Sequence, residues 1–159
     1  MRVVIMSGIP GSGKDTYISD RFNLGEKLSH KPRARVYSAD DFFIDHKGLY
    51  KFNPSKLGDA HGQCLRDFIA DVSAGDDDAI VVVNNTNTTA IEIAPYYAVA
   101  QAFGAQVQLV TLLAPPDVCA ARNIHGVPLA ACVAMDKRLR SRELPPFWSF
   151  ADHTSLTSV

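Results

Sequence analysis

Residues 7–16, SGIPGSGKDT, place a glycine-rich loop directly before a lysine. Gly8, Gly13 and Lys14 fit the spacing G-x-x-x-x-G-K-[ST], in which backbone N–H groups surround an anion and a mobile ammonium reaches the outer phosphates of a nucleotide. The spacing points to a nucleoside-triphosphate site made by Gly8, Pro10, Gly11, Ser12, Gly13, Lys14, Asp15 and Thr16. One position departs from the pattern. Asp15 stands where a hydroxyl should follow the lysine and help hold magnesium. Thr16 is no substitute, because one step along a helix swings the side chain by about 100°. A carboxylate is a hard oxygen donor suited to magnesium, and without the cation it repels phosphates. Asp15 is therefore expected to be a metal ligand that makes nucleotide binding metal-dependent; a decayed site is the alternative.

Three more clusters carry candidate chemistry. In SADDFF, Asp40 is the expected general base for an attacking hydroxyl and a metal contact through water, and Asp41 a substrate contact. A helix cap is the alternative for either. In NNTN (84–87) amides stand where many proteins with this loop carry an acid. Asn85 and Asn87 are expected at the substrate, although a plain turn explains any one of them equally well. In VCAARNIHGVP, Arg122 lies beside a break between helices, where a hinged basic segment acts as a lid and neutralises a transferring phosphoryl group. Arg138 is expected near the nucleotide, while a solvated helical face is the default for Lys137, Arg138, Arg140 and Arg142. His125 is open between a structural and a catalytic role, and His61 is assigned to helix packing.

The elements that must position these residues alternate along the chain. RVVIM (2–6), ARVYS (34–38), AIVVV (79–83) and QVQLVTLLA (106–114) read as strands; the first is continuously apolar, as expected when both faces are buried. Helices are expected over about 13–22, from Asn53-Pro54-Ser55 onward, over 90–102 with Gly104 ending it, over 117–123, and from Pro128 to about Arg140. Such alternation implies right-handed βαβ units around a parallel sheet, with ligands beyond the carboxyl ends of the strands. All four clusters follow a strand. In the tail, Phe147, Trp148 and Phe150 are expected to dock while the Ser/Thr-rich end frays.

With 159 residues, 47% of them apolar and 21% charged, the chain reads as one domain, 1–159, with a lid at about 122–142 and a tail at about 145–159. The net charge of −1 argues against binding nucleic acid through the whole surface, and Asp76–Asp78 read as a solvated turn. No apolar run is long enough to span a bilayer, and the amino terminus is too short and glycine-broken for a secretory signal. Three cysteines without metal-ligand spacing read as buried thiols of a cytoplasmic protein.

GIPGSGKDT, SADDFFID, GLYKFNPSKLGDAH, VVVNNTNTT and RNIHGVP, in this order, resemble the small P-loop kinases of the polynucleotide-kinase-like group over about residues 1–140. GLYKFNPSKLGDAH is similar to the NEDD4-binding-protein-like ATPase branch more than to the phage 5′-hydroxyl polynucleotide kinase. The resemblance implies an α/β P-loop NTPase three-layer sandwich with a parallel sheet and a helical lid. It implies ATP and Mg2+ as cofactors, Lys14 on the phosphates, Asp40 as base and Arg122 as the lid arginine. Phe43 stands where the polynucleotide kinase carries a substrate-phosphate arginine, and Asn84-Asn85 where relatives have an aspartate. The expected activity is phosphoryl transfer from ATP to a hydroxyl of nucleic acid, foremost the hydroxymethyl group of 5-hydroxymethyluracil in phage DNA. The alternatives are a 5′-hydroxyl polynucleotide kinase, a small-metabolite or sugar-nucleotide kinase, and a non-catalytic nucleotide-binding module. A base lifted from DNA needs aromatic partners. Phe43 and Tyr50, with Phe42 and Phe52, are the candidates, and a satellite hydrophobic patch explains them equally well.

Overall fold

The computed structural model describes residues 1–25 and 32–157. Strands β1 (Arg2–Ser7), β2 (Ala34–Tyr37), β3 (Ile80–Val83), β4 (Gln106–Leu113) and β5 (Asp152–Thr157) form one sheet in the order β2-β3-β1-β4-β5. Every neighbouring pair is parallel. Helices α1 (Lys14–Arg21), α2 (Leu57–Ser73), α3 (Ala90–Ala102), α4 (Pro116–Arg122) and α5 (Leu129–Arg140) connect the strands.

The continuous apolar run of β1 follows from its central place. Val3 and Ile5 face Phe68, Val72, Ile93 and Tyr96 of α2 and α3, whereas Val4 and Met6 face Ile18 of α1 and Phe22 just after it. All four β1 side chains are fully buried, each worth about 1.5–3 kcal/mol relative to exposure. The result is a three-layer α/β sandwich. The chain leaves β1 for α1 on one face and leaves neighbouring β3 for α3 on the other. Their carboxyl ends therefore flank a crevice, the usual ligand position in an open parallel sheet.

The tail differs from expectation. Trp148 and Phe150 do dock, against Tyr97 at ring-centroid distances of 4.7 and 5.2 Å, but Phe147 is 81% exposed. Far from fraying, residues 152–157 pair with β4 as an edge strand; residues 158–159 lie outside the described residues. The polar sequence DHTSLT concealed this strand, since most of its side chains face solvent. His61, expected in helix packing, is exposed on α2.

Arg142, expected on a solvated face, is instead drawn beneath the strand ends. Its guanidinium donates to Ser7 Oγ (2.6 Å), the Asn87 carbonyl (2.7 Å) and Thr111 Oγ1 (3.1 Å). Burial lowers its pKa, opposed by Glu92. This residue ties the segment after α5 to the ends of β1 and β4. Arg142→Ala should cost about 2–3 kcal/mol, the usual worth of charge-assisted hydrogen bonds lost from a buried site. In a thermal melt that corresponds to a fall of about 5–10 °C; an unchanged melting temperature would remove this role.

Candidate functional site

The loop between β1 and α1 owes its shape to two glycines. Gly13 has φ +92° and caps α1 with no side chain, which leaves the first-turn N–H groups available to an anion. Gly11 has φ +80°, and a Cβ there would lie 2.3 Å from the Cys119 carbonyl oxygen, so the loop rests directly on α4. Ile9 anchors the same contact, buried with Ala114, Cys119, Cys132 and Leu139. Ser12 was expected to face the nucleotide. Its side chain is fully buried with Oγ unpartnered, and its N–H folds the loop by donating to the Ile9 carbonyl.

Lys14 Nζ donates to the carbonyls of Gly8 (2.9 Å) and Ile9 (3.1 Å). Burial lowers its pKa to about 8, against the opposing pull of Asp15 and Asp40. Asp15 and Thr16 are exposed in the first turn of α1. One Asp15 carboxylate oxygen accepts from Asn84 Nδ2 at 2.7 Å. Asn84 follows β3 directly, and its backbone N–H donates to the Tyr37 carbonyl at the end of β2.

Asp40 arrives from the far edge of the sheet. A 3-10 turn, Ala39–Phe43, begins at Ser38, whose hydroxyl accepts from the Asp40 N–H. Buried Phe43 roots this turn in the main core and also borders the surface cavity shared with Phe42, Ile44, Lys51 and Lys56. The Asp40 side chain is half exposed. Tyr50 donates its hydroxyl to Asp40 Oδ1 at 3.0 Å, and His125 Nε2 lies 3.6 Å from Oδ2. The Tyr50 and His125 rings are in contact, 4.4 Å between centroids. Tyr50, expected at the substrate, thus has a first duty to the carboxylate. Its own pKa is raised by burial and by that hydrogen bond. Asp41 sits beside this group; partial loss of solvent around its carboxyl raises its pKa against a lowering hydrogen bond from the Ser38 backbone, with repulsion from Asp40 and Asp15 adding.

Two of the expected substrate amides belong to the scaffold. Asn85 is buried: Oδ1 accepts from the Ala39 N–H, and Nδ2 donates to Tyr96 Oη and Cys64 Sγ. It therefore fixes the turn that carries Asp40. Asn87, with φ +43°, donates from Nδ2 to the Met6 carbonyl, while its own carbonyl accepts from Ser7 Oγ and Arg142. A strand-end amide reads the same in sequence whether it faces a ligand or folds back, so nothing there distinguished Asn84 from its neighbours.

The segment between α4 and α5 is organised by Asn123. Its side chain accepts from the Val127 N–H at 2.7 Å and donates to the Ala120 and Val127 carbonyls. That closed loop, with Gly126 at φ +67°, presents His125 toward Asp40. His125, left open by the sequence, links this segment to the Asp40 carboxylate. Arg122 occupies the exposed last turn of α4. Arg138 is exposed on α5, and Arg140 pairs with Asp136 one helical turn away.

A glycine loop ending in lysine between β1 and α1, and a parallel sheet in the order β2-β3-β1-β4-β5, define a P-loop kinase-like fold. The chain belongs to the AAA domain family, whose model matches residues 3–125. It is 31% identical over 137 residues to human NEDD4-binding protein 2, covering 79% of this chain but only 7% of that protein's length. Among solved structures, a chain of the Pnkp1/Rnl/Hen1 RNA repair complex superposes with a TM-score of 0.65 at 16% identity, over 87% of this chain and 44% of the other. The Mycobacterium tuberculosis APS kinase CysC, solved with AMPPNP and APS, superposes with a TM-score of 0.51 at 15% identity, over 97% and 87%. Likenesses at such identities establish the fold. No helix among the described residues is long and apolar enough to cross a membrane.

Proposed function

We propose that the protein is an ATP-dependent phosphotransferase acting on an alcohol, with the acceptor hydroxyl presented to Asp40. The observation that carries this reading is that Asp40, just after edge strand β2, and Lys14, in the loop-to-helix turn just after β1, both lie beyond the carboxyl ends of parallel strands. A proton acceptor and a phosphate-binding cation thus share one rim of the sheet.

A divalent cation fits the residues present. The Asp15 carboxylate is exposed and oriented by Asn84, and Asn84 Oδ1 is buried without a partner, ready to accept from a cation's water. No three metal-ligating side chains converge among the described residues; magnesium bound through one or two carboxylates plus substrate phosphates needs no such group. Asp15, with Asp40 through water, would hold it, and it would supply charge neutralisation at the β- and γ-phosphates.

The chain's own residues account for the rest. The N–H groups of Gly11, Gly13, Lys14, Asp15 and Thr16 hold the phosphates, and Lys14 leaves the Gly8 and Ile9 carbonyls for them. Asp40 takes the acceptor proton as the hydroxyl oxygen bonds to the γ-phosphorus; the bond to the bridging oxygen breaks and ADP departs. Tyr50 and His125 orient Asp40, and Arg122 at the end of α4 brings positive charge over the transferring group as the lid closes, with Arg138 of α5 near the nucleotide.

The acceptor favoured here is a nucleic-acid hydroxyl, foremost the hydroxymethyl group of 5-hydroxymethyluracil in DNA. Half-exposed Phe52 stacks on Tyr50, the partner of Asp40, and half-exposed Phe42 packs edge-on against Phe43, together a shelf on which a base can stack. A surface cavity of about 270 Å³, lined in part by Phe42, Ile44, Lys51 and Lys56, continues the shelf. The test is transfer of label from γ-labelled ATP to a panel of hydroxymethyluracil DNA, 5′-hydroxyl DNA and RNA, nucleosides and sugars. Label in the modified DNA supports the full reading. Label only in another acceptor replaces the substrate, and label in none, with ATP bound, overturns the enzyme assignment.

A further inference from the structure

Two departures from the P-loop pattern lie 69 positions apart, and they touch. In P-loop NTPases magnesium is held by a hydroxyl directly after the loop lysine and by an aspartate at the end of a neighbouring strand. Here the first position is Asp15 and the second falls on Asn84, whose Nδ2 donates to Asp15 Oδ1 at 2.7 Å. Each position has lost the group the other has gained or can replace. The carboxylate has moved from strand to helix, and the neutral hydrogen-bonding partner from helix to strand.

Resting on the nucleotide-site reading above, we propose that Asp15 and Asn84 form an exchanged cation-binding pair, in which Asn84 is the positioning residue for the Asp15 carboxylate. Three features argue for this over two unrelated substitutions. An exposed aspartate in the first turn of a helix has little reason to adopt one rotamer, yet Asn84 holds it. Asn84 is itself fixed, because its backbone N–H is bonded to the Tyr37 carbonyl. Its Oδ1 is buried with no hydrogen-bond partner, a costly state for an amide oxygen that a bound water or hydrated cation would relieve. A carboxylate at position 84 would confront Asp15 at hydrogen-bonding distance with no proton between them. The amide makes the contact attractive, so the identities of the two residues depend on each other.

The dependence is testable without any acceptor. Binding of a non-hydrolysable ATP analogue is measured by calorimetry with magnesium and with EDTA, alongside Mn2+ binding by electron paramagnetic resonance. Magnesium should tighten nucleotide binding to the wild-type protein, and Asp15→Ser should remove most of that gain. Asn84→Ala, which keeps Asp15, should reduce it by about 10-fold or more, as expected when a ligand loses its orienting partner. Adding Asn84→Asp to Asp15→Ser restores the common arrangement and should recover the gain to within about 3-fold of wild type, the non-additivity expected of a coupled pair. A double variant no better than Asp15→Ser would overturn the exchange. So would Asn84→Ala lowering only the melting temperature, with the magnesium-to-EDTA ratio intact; this arm decides the matter if the double variant does not fold. Wild-type binding equal in magnesium and EDTA sinks the exchange but leaves the nucleotide site standing, whereas no binding in either medium refutes the nucleotide site itself.

Discussion

Asp40→Asn should keep ATP binding and lose phosphoryl transfer by about 10²–10⁴-fold, the span general-base catalysis supplies. The substitution is isosteric, so the Tyr50 hydroxyl still finds an oxygen to donate to. The turn is held independently by Ser38 and by Asn85 on the Ala39 N–H, and the fold should be unaffected. What disappears is the capacity to accept a proton. The measurement is kcat by label transfer together with the dissociation constant for a nucleotide analogue. A fall in kcat at constant affinity supports the role, and full activity removes it. Because Tyr50 acts through Asp40, Tyr50→Phe should lower kcat by a smaller factor.

Lys14→Met should weaken nucleotide binding by about 100-fold, the worth of one or two charge-assisted hydrogen bonds to phosphate, and yet raise thermal stability at neutral pH. The two effects have one cause. In the free protein burial lowers the Lys14 pKa from 10.5 to about 8, so below about pH 8 folding carries a buried ammonium at a cost. Between about pH 8 and 10.5 the unfolded chain binds more protons than the folded one, and this contribution to stability rises with pH. Methionine removes the cost at every pH. Polyphosphate favours the ammonium and raises its pKa again, so nucleotide binding should take up a proton above about pH 8, and affinity should fall as the pH rises further. Calorimetry in buffers of different ionisation enthalpy reads this uptake directly. A variant less stable than wild type at pH 7 would contradict the assignment of the shift to burial.

Whether a feature was legible in the sequence depended on how far apart its causes lie. β1 and β3 announce themselves because burial on both faces demands continuous apolar runs, and the glycine loop because its backbone conformation demands glycine at fixed spacing. β5 was illegible: an edge strand with polar side chains carries no pattern that distinguishes it from a frayed tail. At the site, Lys14 and Asp40 could be placed from the rule that strand ends hold ligands, but that rule names positions and not directions. It could not show that Asn85 and Asn87 are buried, with their side chains bonded to the Ala39 N–H and the Met6 carbonyl. Arg142 was hidden for the converse reason, since a basic residue after a basic helix reads as solvated until Ser7, Asn87 and Thr111 are seen beneath it. Asp15 could be flagged as anomalous, and Asn84 separately. Only the fold brings the two anomalies to 2.7 Å and turns them into one.

A crystal structure with magnesium and a non-hydrolysable ATP analogue tests the central claim most directly. It should show the triphosphate wrapped by residues 11–16, Lys14 Nζ released from the Gly8 and Ile9 carbonyls to the phosphates, and the Asp40 carboxylate facing the terminal phosphorus. Nucleotide bound elsewhere, or Lys14 still on those carbonyls with Asp40 turned from the phosphates, would contradict it.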